Sequence, residues 1–277
     1  MKTWRFALLL ALAAFGSTHA SEPVATTVRN EQGIELRAWY FAPDVAAASH
    51  PAVVMLHGCS GVFSYSKPNS THSNLQKLFV EWGRRLSRAG YAALLIDSFT
   101  ARGHDQNQCG NGSAGTNEVV DRAFDALAGY EALIARAAYR VDPNRVAVLG
   151  WSQGGSTTMS VLDISTWPAV FKMGIAFYPA CGLQNAYGGV RGSTYAPYSP
   201  LHLVFGTDDP FYTSGYCQTR QQNAIELGST EFKPMWAYLN ADHSFDYCTA
   251  TNSNCSTADV EAKASADPYV MQILGGL

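Results

Sequence analysis

Residues 145–155 read Arg145-Val146-Ala147-Val148-Leu149-Gly150-Trp151-Ser152-Gln153-Gly154-Gly155, and this stretch decides how the rest of the chain is read. Arg145 to Leu149, introduced by the turn residues Asp142-Pro143, reads as a buried strand. Gly150-Trp151-Ser152-Gln153-Gly154 is the one G-x-S-x-G match in the chain, and a helix-like run follows it. A serine on a sharp strand-to-helix turn has strained backbone angles and crowded neighbours. Glycines two before and two after it remove the side chains that would collide. The strand–turn–helix setting, more than the motif, marks Ser152 as a candidate nucleophile. A mere helix-packing turn is the weaker reading.

Outward from this point, apolar strands alternate with amphipathic helices. Val24–Arg29 and Ile34–Phe41 read as a hairpin about the turn Gln32-Gly33. Pro51–Leu56, Tyr91–Ile96, Met173–Tyr178, Leu201–Phe205 and Phe232–Leu239 read as further strands. Leu75, Leu78, Phe79, Trp82 and Leu86 fall at helical spacing, and Gly90 stops that helix. Val120, Ala123, Phe124, Leu127, Tyr130 and Ile134 form a second such face. Helices are also expected near Gln218–Leu227 and over 257–275, the latter broken or kinked at Asp267-Pro268. This alternation predicts an α/β fold: a mostly parallel central sheet with helices on both faces and an N-terminal antiparallel hairpin.

Two more segments carry chemistry. Gly206-Thr207-Asp208-Asp209-Pro210 follows the strand at Leu201–Phe205, and Asp242-His243-Ser244-Phe245-Asp246 follows the last strand. Of the seven histidines only His243 lies after the Asp pair. The order serine, aspartate, histidine, each at a strand end, is that of the α/β-hydrolases. Either Asp208 or Asp209 fits this order.

At these residues the sequence resembles the dienelactone hydrolase family, which has the α/β-hydrolase fold. The resemblance is carried by His57-Gly58-Cys59, Asp97-Ser98-Phe99 with Arg102-Gly103, and Val141-Asp142-Pro143 with Arg145. Gly150–Gly155, Tyr178-Pro179, Gly206–Asp209 and His243-Ser244-Phe245 also carry it. The motifs spread over roughly 50–246. The resemblance implies a nucleophile–Asp–His triad acting on ester bonds, with Asp209 as the acid. Dienelactone hydrolases proper use cysteine as nucleophile. Ser152 stands here instead and favours a serine esterase over a dienelactone substrate.

In such a triad His243 takes the proton of Ser152 during attack and returns it to the leaving group, while Asp209 orients the imidazole. The backbone N–H groups of Gln153 and Cys59 are the expected oxyanion donors. His57 is expected to brace that loop. Trp151 and Tyr178 either line the pocket or belong to the core. The expected substrate is a small, soluble ester of short acyl or lactone-like type. A serine peptidase or amidase on the same triad, or a non-catalytic binding protein on the same fold, are the alternatives.

Hydrophobic residues make up 47% of the 277, charged residues only 15%, and the net charge is −3. This composition excludes a disordered chain and gives nucleic acid no electrostatic footprint. Lys2 and Arg5 precede an unbroken apolar run from Phe6 to Phe15 and small residues up to Ala20. That pattern is a secretory signal peptide over 1–20, too short to span a bilayer, followed by one α/β-hydrolase domain over 21–277. The mature chain is expected to be periplasmic or secreted, with no membrane anchor. All six cysteines fall in it, an even count that suits disulfides after export. Cys248–Cys255 is expected from proximity. Cys59–Cys109 and Cys181–Cys217 are expected from where the implied fold puts their loops. No metal motif or phosphate loop appears, so no cofactor is expected, and the residues leave the oligomeric state open. The loops 60–73, 100–117 and 182–200 carry no long amphipathic pattern, so an open cleft without a helical lid is expected.

Overall fold

A computed structural model describes residues 22–64, 74–104, 109, 116–182 and 193–277. The expected leader over 1–20 lies outside them. So does more than half of each of the loops 60–73, 100–117 and 182–200, and with them the expectation of a lidless cleft.

Among the described residues eight strands form one sheet in the order β1-β2-β4-β3-β5-β6-β7-β8. They are β1 (Val24–Arg29), β2 (Glu35–Phe41), β3 (His50–Leu56), β4 (Ala92–Asp97), β5 (Val141–Trp151), β6 (Met173–Phe177), β7 (Leu201–Gly206) and β8 (Trp236–Tyr238). Only β2 runs against the rest, pairing antiparallel with both β1 and β4, while every pairing from β4 to β8 is parallel. The helices are α1 (Lys77–Arg88), α2 (Asp121–Ala135), α3 (Gln153–Val161), α4 (Pro210–Thr213), α5 (Tyr216–Glu226) and α6 (Thr257–Leu274).

The central strands are buried along most of their length because helices cover both faces; β4 is buried throughout. Trp82 of α1, Trp151 of β5 and Phe177 of β6 form an aromatic layer, with Trp151 stacked on Phe177 at 5.8 Å and tilted against Trp82 at 5.9 Å. This layer sits directly beneath the end of β5. Parallel register then brings the strand ends to one edge: Leu56 of β3 lies opposite Gly150 of β5, and Trp151 opposite Phe177. Open α/β sheets bind ligands outside such carboxyl ends.

Four elements differ from the sequence expectation. The first strand position of β5 is Val141, paired with His50, and the ladder resumes at Ala52–Val146. The turn Asp142-Pro143 is therefore an irregularity inside the strand. The Asp142 carboxylate closes it by accepting from the Asn144 N–H and Arg145 Nε, both at 2.9 Å. Leu75 precedes α1 and bridges to Phe63 instead of joining the helix. The last strand is only Trp236–Tyr238, with Phe232 making a separate bridge to Leu201. Pro234 between them has no N–H to give a ladder. Finally, α6 runs unbroken through Pro268. Its start is fixed by a capping box between Ser256 and Asp259, and burial of Ala262, Ala266, Val270 and Leu274 holds both sides of the proline in place.

Candidate active site

Ser152 sits between β5 and α3 at φ 51° and ψ −113°, a backbone conformation that an ordinary residue holds only under constraint. The constraint is visible. The Ser152 N–H donates to Phe177 O at 2.9 Å, and its carbonyl accepts from the Ser156 N–H at 2.9 Å. Glycine is required on both sides. A Cβ on Gly154 would meet the Leu56 carbonyl, and one on Gly150 would meet the Gly154 carbonyl. The side chain is thereby pushed out of the turn.

His243 comes from the loop after β8. Its Nε2 lies 3.1 Å from Ser152 Oγ and its Nδ1 lies 2.9 Å from Asp209 Oδ2. Asp209 follows β7 and is fully buried. It caps α4: its Oδ1 accepts the Phe211 N–H at 2.7 Å, which aims Oδ2 at the imidazole. A carboxylate can only accept, so Nδ1–H donates to it and Nε2 faces the serine hydroxyl as acceptor. Asp208 is exposed and turned away, its carboxylate accepting from Thr207 Oγ1 at 3.3 Å.

The loop after β3 packs against this turn. A Cβ on Gly58 would lie 3.5 Å from Ser152 Cβ. Among the described residues, nothing accepts from the N–H of Cys59 or of Gln153, the first residue of α3. His57 is fully buried behind the loop. Its Nε2 accepts the Ser98 N–H at 3.1 Å, so its Nδ1–H donates to the Gly58 carbonyl at 2.6 Å. Burial first, and the nearby Arg122 second, hold His57 well below the usual histidine range, so it stays a neutral brace.

Arg122 is a residue that sequence reading missed. It is fully buried on α2, donating to His57 O at 2.7 Å and to Gln153 Oε1 at 2.9 Å. It thus ties the loop after β3 to the first residue of α3. Burial lowers its pKa to about 10, which leaves it cationic at neutral pH. Nothing in the sequence marked it, since Arg122 lies off the helical face of Val120, Ala123, Phe124, Leu127, Tyr130 and Ile134. Phe211 was also missed: it stands 39% exposed, with its ring edge-on to His243 at 5.2 Å.

Trp151 and Tyr178, left between pocket and core, are both core: each is fully buried. Trp151 lies in the aromatic layer under β5. Tyr178 packs its ring 4.6 Å from the His243 ring, beneath the site. The open space lies elsewhere, in a groove of about 430 Å³ lined by Ser60, Ser64, Gln76, Lys77, Ser244 and Tyr247. It runs between the loop after Cys59 and the loop after His243.

Three disulfides join Cys59 to Cys109, Cys181 to Cys217 and Cys248 to Cys255, with Cα separations of 4.9, 5.0 and 5.5 Å. The first anchors the loop beside Ser152. The second ties the segment after β6 to α5. Among the described residues no group of histidine, cysteine and carboxylate side chains could hold a metal ion, and no helix is long and apolar enough to cross a membrane.

The sequence pattern of the prolyl oligopeptidase family, peptidase S9, matches residues 82–199, less than half of the chain; it includes Ser152 but neither Asp209 nor His243. A search of curated protein sequences finds no match. Among solved structures the chain is similar to a protein described as a dienelactone hydrolase from Klebsiella pneumoniae subsp. pneumoniae, with 18% identity and TM-score 0.62 over 88% of this chain and 96% of that one. It is similar to esterase 2 of Thermogutta terrifontis, with 16% identity and TM-score 0.63 over 92% and 95%. It is also similar to a puromycin-hydrolyzing peptidase of Mycobacterium tuberculosis, with 19% identity and TM-score 0.64 over 94% of this chain and 40% of that one. At such identities the likeness is one of architecture, and it agrees with the sheet order and the single reversed strand β2: this chain has the α/β-hydrolase fold.

Proposed function

We propose that this protein is a serine hydrolase of carboxylic esters, working through Ser152, His243 and Asp209. The observation that carries the reading is the continuous hydrogen-bond chain from Ser152 Oγ through both ring nitrogens of His243 to a buried Asp209 carboxylate. A serine hydroxyl is a weak nucleophile at neutral pH. His243 Nε2 removes its proton as Oγ attacks the ester carbonyl, and Asp209 stabilises the imidazolium that results. The tetrahedral oxyanion is met by the Cys59 and Gln153 N–H groups, which are free of other acceptors among the described residues. His243 then protonates the leaving alcohol. An acyl-enzyme remains, and water activated by the same imidazole hydrolyses it.

The groove of about 430 Å³ between the loop after Cys59 and the loop after His243 suits a small substrate. Short-acyl and lactone-like esters are the expected class. Amides are a second reading, favoured by the match to the prolyl oligopeptidase family over 82–199. Esters lead because an alkoxide leaves more readily than an amine. Export to the periplasm or beyond is part of the proposal, supported by the leader-like residues 1–20 and by three disulfides.

The test is a fluorophosphonate probe followed by a panel of soluble esters, emulsified long-chain esters and peptide amides. Labelling is expected at Ser152 and nowhere else, with fastest turnover of short soluble esters and no jump in rate at an oil–water interface. Absence of labelling rejects a serine hydrolase; faster peptide cleavage replaces the esterase by a peptidase.

A further inference from the structure

Three residues beyond His243, Asp246 is fully buried in the short turn Phe245–Tyr247. Both of its oxygens are occupied. Oδ2 accepts the indole N–H of Trp151 at 2.6 Å, and Oδ1 accepts the hydroxyl of Tyr178. These two donors flank the site from below. Trp151 immediately precedes Ser152. Tyr178 directly follows β6 at φ 39°, with its ring against the imidazole of His243. One carboxylate therefore connects the serine turn, the β6 end and the histidine loop. Lys263 of α6 holds the same turn from the other side, donating to the Asp246 carbonyl at 2.6 Å and pairing with Glu81 of α1 at 3.3 Å.

Burying a carboxylate here carries a cost. Burial pushes its pKa up to about 6, against the opposing pull of the Tyr178 and Trp151 bonds and of Lys263, and with Asp267 adding to the rise. An apolar side chain would avoid that cost but leave the buried Trp151 N–H and Tyr178 hydroxyl without this acceptor. What an apolar side chain could not do is fix the angles of two aromatic donors at once.

We propose that Asp246 is a positioning residue: by holding Tyr178 and Trp151 it sets the imidazole of His243 over Ser152. The proposal rests on the reading of Ser152 and His243 as nucleophile and base. In Asp246→Asn both contacts can be kept, because the amide oxygen accepts from Trp151 while the amide nitrogen donates to the Tyr178 oxygen, a hydroxyl that also accepts. Asp246→Leu keeps neither. A misplacement of about 1 Å in such a site costs about 10²-fold in rate.

The experiment compares Asp246→Leu, Asp246→Asn and Tyr178→Phe, each first checked by thermal melting. Expected for Asp246→Leu is a fall of about 10²-fold in kcat with KM nearly unchanged. Asp246→Asn should stay within about threefold of wild type. Tyr178→Phe, which removes one hydrogen bond and keeps the ring, should lose about tenfold in kcat and serves if the leucine variant does not fold. Independently of turnover, the NMR resonances of the His243 ring protons, shifted by the Tyr178 ring current, should move in Asp246→Leu and stay in Asp246→Asn. Wild-type kcat in the leucine variant, an asparagine variant as damaged as the leucine one, or unmoved His243 resonances would each overturn the proposal. Failure of wild type to react with the fluorophosphonate probe instead rejects the hydrolase reading, and the ring resonances still decide the role of Asp246.

Discussion

Ser152 stands at φ 51°, where a residue with a Cβ is strained by about 1–3 kcal/mol. The strain is opposed to stability and serves exposure of the hydroxyl. Ser152→Ala and Ser152→Gly should therefore both lose turnover, by about 10⁶-fold, yet differ in stability. Glycine relieves the strain and should melt higher than alanine, a comparison that calorimetry makes directly. The same scale separates the two aspartates. Asp209→Asn should cost about 10³–10⁴ in kcat because the imidazole loses its orienting acceptor, whereas Asp208→Asn should change it less than about twofold, since Asp208 faces solvent. Equal losses in the two variants would reject the assignment. Ser152 and His243 were legible because each is a reactive residue type at the end of an apolar run; that rule left Asp208 and Asp209 both open, and the family resemblance selected Asp209. Arg122 and Asp246 were not legible, since a buried polar side chain declares itself only through tertiary partners such as Gln153 and Trp151. For the same reason Trp151 and Tyr178 stayed open between pocket and core.

At the scale of elements, periodicity found the strands and helices whose pattern is set locally, and missed where long-range pairing decides. β5 keeps the turn Asp142-Pro143 within it because His50 pairs beyond the turn, at Val141. α6 passes through Pro268 because packing on both sides outweighs one missing hydrogen bond. The link Cys59–Cys109 belongs to this scale, because it closes 50 residues and fixes the loop that presents the Cys59 N–H. Replacing both cysteines by serine should lower stability by about 2–4 kcal/mol and lower kcat with little change in KM. The matching Cys181–Cys217 variant leaves the loop that carries Cys59 untouched and should lose stability with a smaller loss of kcat. Chemical denaturation and steady-state kinetics on both double variants check this. Equal kinetic losses would remove the link between Cys59 and the oxyanion.

Across the whole molecule, the carboxyl ends of β3, β5, β6, β7 and β8 meet at one edge, and the site is built there from segments distant in sequence. That architecture was readable from the alternation of apolar runs and amphipathic helices. Its electrostatic consequence was not, because it depends on which charges the packing encloses. Burial lowers His57 well below 6.5 and lowers His202 to about 4, the latter with help from Lys233. The unfolded chain takes up protons at these histidines near pH 6.5 while the folded chain does not, so stability falls as the pH drops through that region. Asp246 acts with the opposite sign. Its carboxyl, raised to about 6 by burial, takes up a proton in the folded chain before the unfolded chain does at 3.8, so it returns some stability between pH 6 and 4. The raised Asp267 adds to that return. Between pH 7 and 5.5 the two histidines outweigh the carboxyls, and unfolding free energy should fall by about 1–2 kcal/mol. Urea midpoints at the two pH values measure it. His202→Asn should reduce the fall, and Asp246→Asn should enlarge it by removing the compensating proton. A midpoint that rises on acidification would show that the buried carboxyls, and not the histidines, govern the acid response of this fold.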